Sequence, residues 1–104
     1  MAFWEPRPAR TEVYVARVDD TVAATVFAVA AALRDAGVAT ELDHLARSLK
    51  AQFKQADRLG ARAVVVIGPD EAAAGEVTLR DMSTKKENRV ALADLAPAVR
   101  ALLG

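Results

Sequence analysis

The sequence contains no cysteine. That removes disulfides, thiolate metal sites and cysteine nucleophiles together, and it suits a reducing cytoplasm. Histidine is nearly absent too. His44 is the only one, and it lacks the partners a histidine-based site requires, so it reads as a polar loop residue. No serine elbow and no carboxylate–histidine zinc motif is present. The sequence implies no metal, no cofactor and no active site of its own. Glycine-rich phosphate loops are missing as well. Gly68 follows a strand-like run, but Asp70 and Glu71 come next and would repel a phosphate.

Charge of one sign is also lacking. The formal net charge is zero, so the molecule as a whole has no pull toward nucleic acid or membrane. Aromatic residues make up 5% of the chain. Phe27 and Phe53 fall at core positions of helical patterns, and Tyr14 is the only strand aromatic. A sheet that stacks RNA bases on aromatic rings is therefore not expected. The apolar runs are too short and too interrupted to span a bilayer. The N-terminus lacks the apolar segment and small-residue cleavage site of a signal peptide. A cytoplasmic protein with no membrane partner is the expectation.

What is present is enough for one domain. A chain of 104 residues, 53% hydrophobic, builds one core rather than two. Pro6 and Pro8 make residues 1–10 read as a linker or the remnant of one, in which Phe3 and Trp4 are free to dock on the domain or on a neighbour. Residues 11–104 are the domain. Neutrality conceals polarity. Residues 1–46 hold four Lys/Arg against seven Asp/Glu, and residues 47–104 hold ten against seven.

The pattern alternates strand and helix. Residues 11–18 read as a strand with Val13, Val15 and Val18 inward. Asp19, Asp20 and Thr21 offer an N-cap and negative charge at the start of a helix. That helix runs to about Ala36 on a stripe of Val22, Val26, Val29, Ala30 and Leu33, and Gly37 ends it. Residues 38–42 form a short strand. A second helix ends at Gly60, and residues 63–67 form an apolar run suited to a strand covered on both faces. After a short helical piece at 71–74, residues 76–82 alternate, with Val77, Leu79 and Asp81 on one face and Glu76, Thr78 and Arg80 on the other. Residues 83–86 turn, residues 87–92 return as a strand, and a closing helix over 94–103 places Leu95 and Val99 inward. The first three strands connect through helices and should be parallel, with right-handed crossovers; the hairpin forces one strand antiparallel. The fold class is α/β, a three-layer α/β/α domain on a mixed five-stranded sheet.

The stretch 47–68 ties this together. Leu49, Phe53, Ala56 and Gly60 form an apolar stripe, while Arg47, Lys50, Lys54 and Arg58 align on another face. Such a basic stripe is either a solvated face or a surface for nucleic-acid phosphates, and spacing alone does not choose. The aspartates after the first strand suggest a phospho-receiver domain, but that needs an aspartate where this chain has Gly68.

Three segments carry a family resemblance: residues 47–62, residues 66–75 (Val-Ile-Gly-Pro-Asp-Glu-Ala-Ala-Ala-Gly), and Val77-Thr78-Leu79-Arg80-Asp81-Met82 with Thr84. They resemble the C-terminal anticodon-binding domain of class IIa aminoacyl-tRNA synthetases, most closely the histidyl enzymes. The resemblance implies strand order 2-1-3-4-5 with strand 4 antiparallel. It implies tRNA anticodon recognition, with Glu71 and Arg80 at positions that hydrogen-bond anticodon bases. Arg47, Lys50, Lys54 and Lys85 are then candidate phosphate contacts. Without the resemblance, Glu71 reads as a helix cap and Arg80 as the partner of Glu76 or another surface acid. The family commonly has a Gly-containing hairpin turn where this chain has Lys85, Lys86, Glu87 and Asn88. The implied parent is an ATP-dependent histidine–tRNA ligase, a homodimer whose N-terminal catalytic domain is absent here, and this domain would pack near the partner's catalytic domain. The chain alone should not aminoacylate. The alternative is a synthetase-like regulatory or protein–protein module that does not bind tRNA.

Overall fold

The computed structural model describes residues 11–43 and 47–104. The linker expected over residues 1–10, the docking of Phe3 and Trp4, and His44 lie outside them. The elements are β1 (Val13–Arg17), α1 (Ala23–Asp35), β2 (Thr40–Leu42), α2 (Leu49–Arg58), β3 (Ala63–Ile67), α3 (Pro69–Ala74), β4 (Glu76–Asp81), β5 (Glu87–Ala91) and α4 (Leu95–Leu103). Short 3-10 turns at Asp20–Val22 and Leu92–Asp94 lead into α1 and α4. The sheet order is β2-β1-β3-β4-β5. β1 is parallel to β2 and β3, and β4 is antiparallel to β3 and β5. This is the expected topology.

Two cores divide the helices. On one face Val13, Val15, Val65, Ile67, Val77 and Leu79 meet α1 and α4. On the other, Tyr14, Ala16, Val64 and Val66 meet Ala56 of α2, with Leu49, Phe53 and Leu59 at the margin. The helix stripe expected for α1 is buried throughout. Asp19 accepts a hydrogen bond from the Thr21 N–H at 2.9 Å, as an N-cap should. Gly37 takes φ 86° where α1 ends, and Gly60 takes φ 72° after α2, conformations that glycine adopts without steric cost.

Two expected core residues are not core. Phe27 is 54% exposed and Val18 is 49% exposed. Phe27 follows Val26, whose spacing with Ala30 and Leu33 already defines the buried face, so its ring is turned off the sheet. Val18 lies past the end of β1; its N–H makes a 3.0 Å bond to the Ile67 carbonyl and the chain then turns away.

The sequence pattern also misses one of the two fully buried residues of α2. Gln52 has no exposed surface. Its amide Oε1 accepts from the Arg17 N–H at 2.9 Å, and Nε2 donates to the carbonyls of Arg17 at 2.8 Å and Arg47 at 2.7 Å. The side chain therefore closes the end of β1 onto the first turn of α2. Leucine at this position would leave the Arg17 N–H without that acceptor, and we expect Gln52→Leu to lower stability by about 1–3 kcal/mol in urea denaturation.

Candidate nucleic-acid interface

The sheet is not covered evenly. Val77 and Leu79 of β4 are buried against the α1 and α4 layer, whereas Thr78 and Arg80, which point the other way, are partly exposed. Opposite them on β5, Arg89 pairs in register with Thr78 and Glu87 with Arg80, and both are exposed. The α2 side of the β4–β5 hairpin is thus an open platform, bordered by Phe53 of α2 and Glu71 of α3.

Glu71 reaches this platform from the third position of α3. Thr78 Oγ1 donates to Glu71 Oε2 at 3.2 Å. The carboxylate folds back over Gly68, where an added Cβ would meet Glu71 Oε1 at 2.8 Å and Val18 Cγ2 at 3.0 Å. Glycine at 68 is what lets Glu71 approach. The helix itself has Gly68 as N-cap with no side-chain cap bond, and Pro69 fills its first position, where a missing N–H costs nothing. Thr78 and Arg80 are two apart on one face of β4, hence within about 7 Å. The topology brings Glu71 and Arg80 to the same surface.

Arg80 makes its ion pair with Glu87 across the hairpin, Nη1 to Oε2 at 3.1 Å, rather than with Glu76. Glu76 instead pairs with Arg89 at 3.0 Å. The Arg80 guanidinium carbon lies 4.9 Å from the centroid of the Phe53 ring. Phe53 is therefore only in part the core residue that its spacing implies; the rest of its surface supports Arg80.

The basic stripe is shorter than its spacing suggests. α2 starts at Leu49 with Ser48 as N-cap, so Arg47 precedes the helix. Its Nε and N–H donate to the two carboxylate oxygens of buried Asp43, both at 2.9 Å. The Tyr14 hydroxyl is buried beside them; desolvation and the Asp43 charge push its pKa up, and Arg47 pulls the other way. Lys50 and Lys54 are exposed one turn apart, and Lys50 shares the Phe53 flank of α2 through its three-residue spacing.

Lys85 occupies the hairpin tip. Asp81 organises the turn by accepting from the Ser83 N–H at 2.8 Å and the Ser83 hydroxyl at 2.7 Å. These bonds lower the Asp81 pKa below the ordinary carboxylate value, so their support is present above that value and is lost as pH falls through the lowered one. Lys85 takes φ 64°, the only non-glycine positive φ among the described residues. This is where a left-handed residue is required and where a glycine would relieve the strain. Among the described residues no group of three or more His, Asp or Glu could hold a metal ion.

Residues 12–102 match the family described as anticodon binding domain. The chain belongs to that family. Within it, the chain is similar to histidine–tRNA ligases: it is 48% identical to the enzyme of Anaeromyxobacter sp. (strain K) over 95 residues, covering 91% of this chain and 22% of that protein. Against the histidine–tRNA ligase of Lactiplantibacillus plantarum it is 44% identical over 90 residues, 86% of this chain and 21% of the relative. The solved histidyl-tRNA synthetase of Nostoc sp. PCC 7120 superposes with a TM-score of 0.87 at 37% identity, over 91% of this chain and 23% of that one. The RNA binding domain of threonyl-tRNA synthetase from Cryptosporidium parvum shares the fold, with a TM-score of 0.82 at 20% identity over 89% of this chain and 24% of that one. The chain thus spans about a fifth of the length of the curated relatives it matches.

The Lys85 geometry yields a prediction. Lys85→Gly should raise stability by about 0.5–1 kcal/mol, the relief of a left-handed side chain less the added unfolded-state entropy of glycine. Urea denaturation midpoints compared at constant m-value would measure it.

Proposed function

We propose that this chain is the tRNA anticodon-reading domain of a histidine–tRNA ligase, with Glu71 and Arg80 contacting anticodon bases. The observation that carries the reading is the open β4–β5 platform bearing both residues in a chain of the anticodon-binding family. The chemistry is suitable. A carboxylate accepts from base amino groups, and a guanidinium donates to base carbonyls or ring nitrogens. Single-stranded loop bases expose those edges.

The platform charges support the same division of labour. Glu71, Glu76 and Glu87 face it with Arg80 and Arg89, and the two arginines are paired with acids. Such a surface is poor for phosphates and good for neutral heterocycles with donors and acceptors. Phosphate contacts fall to Lys50, Lys54 and Lys85, which are exposed. Arg47 is a weaker contributor because Asp43 engages it.

In this reading aminoacylation belongs to the rest of a longer parent, in the cytoplasm, and not to this chain alone. The surface of α1 supports a parent that covers it. From Ala23 to Leu33 the helix carries no charge, and Ala24, Phe27, Ala28, Ala31 and Ala32 are exposed. A helix apolar all round is normally buried on both sides. A groove of about 640 Å³ between α1 and the start of α4, lined by residues such as Leu92 and Ala93, continues that surface. The catalytic part of the parent, from the same or the partner subunit, is the proposed cover.

The test is binding of a histidine-tRNA anticodon stem-loop to the 104-residue chain, with a stem-loop of unrelated anticodon as control. Arg80→Ala should cut the preference for the cognate loop by about tenfold, the worth of a charged hydrogen bond. Lys54→Ala should weaken both loops equally and reduce the salt slope by about one unit. Equal binding of both loops by the unaltered chain would sink base reading, and binding of neither would favour a module that does not bind tRNA.

A second outcome concerns α1. Phe27→Glu should change the stability of this chain by less than about 0.5 kcal/mol, because the ring is already exposed. In the full-length parent the same change should shift subunit or domain association, measured by sedimentation; no shift there would remove α1 from the interface.

A further inference from the structure

Arg80 is fixed by two other elements before any ligand arrives. The Phe53 ring of α2 lies 4.9 Å from its guanidinium carbon. Glu87 of β5 holds Nη1 at 3.1 Å. Nε is buried without a hydrogen-bond partner among the described residues. Its N–H therefore does not set the orientation; the ring and the Glu87 carboxylate do. The side chain keeps 29% of its surface exposed.

A free arginine has many rotamers, and ordering it on binding would cost much of what one hydrogen bond contributes. A guanidinium already pinned against a ring presents its remaining donors at a fixed angle, and a fixed angle is what separates one base edge from another. An aromatic face attracts the cation through its quadrupole; an aliphatic side chain of the same bulk does not. The margin of the α2 core has aliphatic members at Leu49 and Leu59. Leucine would thus serve at position 53 if packing were the only demand.

We infer that Phe53 is a positioning residue for anticodon reading: its ring holds the Arg80 guanidinium in the orientation that selects an acceptor-bearing base edge. The inference rests on the assignment of Arg80 as a base contact. Phe53 itself touches no base in this scheme.

The experiment is a double-mutant cycle on the 104-residue chain, using the histidine-tRNA anticodon stem-loop and one with a replaced anticodon. Phe53→Leu should lower the ratio of cognate to non-cognate affinity by about three- to tenfold, the scale of one cation–π contact. The salt slope should not move, since no phosphate contact is touched. Phe53→Tyr should keep the ratio of the unaltered chain. In an Arg80→Ala background, Phe53→Leu should have no further effect on the ratio. Phe53→Met, which also removes the ring while filling the space, carries the same expectation should the leucine variant fold poorly.

A Phe53→Leu chain with undiminished preference, alongside an Arg80→Ala chain that has lost it, would overturn the inference and leave the base contact standing. An equal loss with and without Arg80 would also overturn it, since the ring would then act elsewhere. If Arg80→Ala itself leaves the preference intact, the base contact falls first and the role of Phe53 with it.

Discussion

The central constraint is the burial of β3. Ala63–Ile67 is buried at every position, hydrogen-bonded to β1 on one side and β4 on the other. A strand closed on all sides must be covered by both helix layers. The chain supplies two helices, α1 and α4, to one face and α2 to the other. A single ten-residue helix about 15 Å long does not cover five strands. It covers β1 and β3, whose Tyr14, Ala16, Val64 and Val66 need it, and leaves the hairpin face bare. The open platform follows from that unequal division, and the residues of β4 record it: apolar toward the two-helix layer, polar toward the other.

A bare sheet face invites non-specific association unless its polar groups are engaged. Here they are engaged with each other. Two ion pairs, Glu87 with Arg80 and Glu76 with Arg89, and the hydrogen bond from Thr78 to Glu71 occupy this surface. Exposed pairs of this kind contribute little to stability, about 0–1 kcal/mol each. Their consequence is geometric: each side chain has a neighbour that limits where it points. Gln52 plays the corresponding role for the layer beneath, because its three hydrogen bonds fix where α2 starts and so where Phe53 meets β4.

Much of this was legible in the chain itself. The element order, the three parallel strands, the antiparallel hairpin and the α1 stripe follow from periodicity and from connection length, which are local or nearly so, whereas the strand order 2-1-3-4-5 is what the family resemblance implies. Glu71 and Arg80 were named from a family resemblance, since neither residue type is unusual on a surface. What the sequence concealed lies between elements. Nothing in the spacing of α2 shows that Phe53 meets Arg80, or that a glutamine takes a fully buried position. A buried amide breaks the apolar pattern, and only its three backbone partners explain it. The basic stripe was overread for a related reason: the helix begins after Arg47, and Asp43 claims that side chain. The one available cue was the aspartate itself, four residues before an arginine at a helix entry.

Phe27 is the instructive error. The helical pattern places it at a core position, where an aromatic residue is ordinarily found. Yet the helix offers two apolar directions, and an amphipathic reading allows only one. When a helix lacks a polar face, the count of buried positions from one stripe is a lower bound on what the helix covers. The second direction is an exposed apolar surface rather than noise in the pattern. The chain spans about a fifth of the length of the curated relatives it matches. The platform on the opposite face shows the contrary composition, with charges already paired and one aromatic ring supporting a cation. The two sides of the domain thus differ in chemistry: the outer surface of α1 is apolar, and the hairpin face is polar, with its arginines paired to acids.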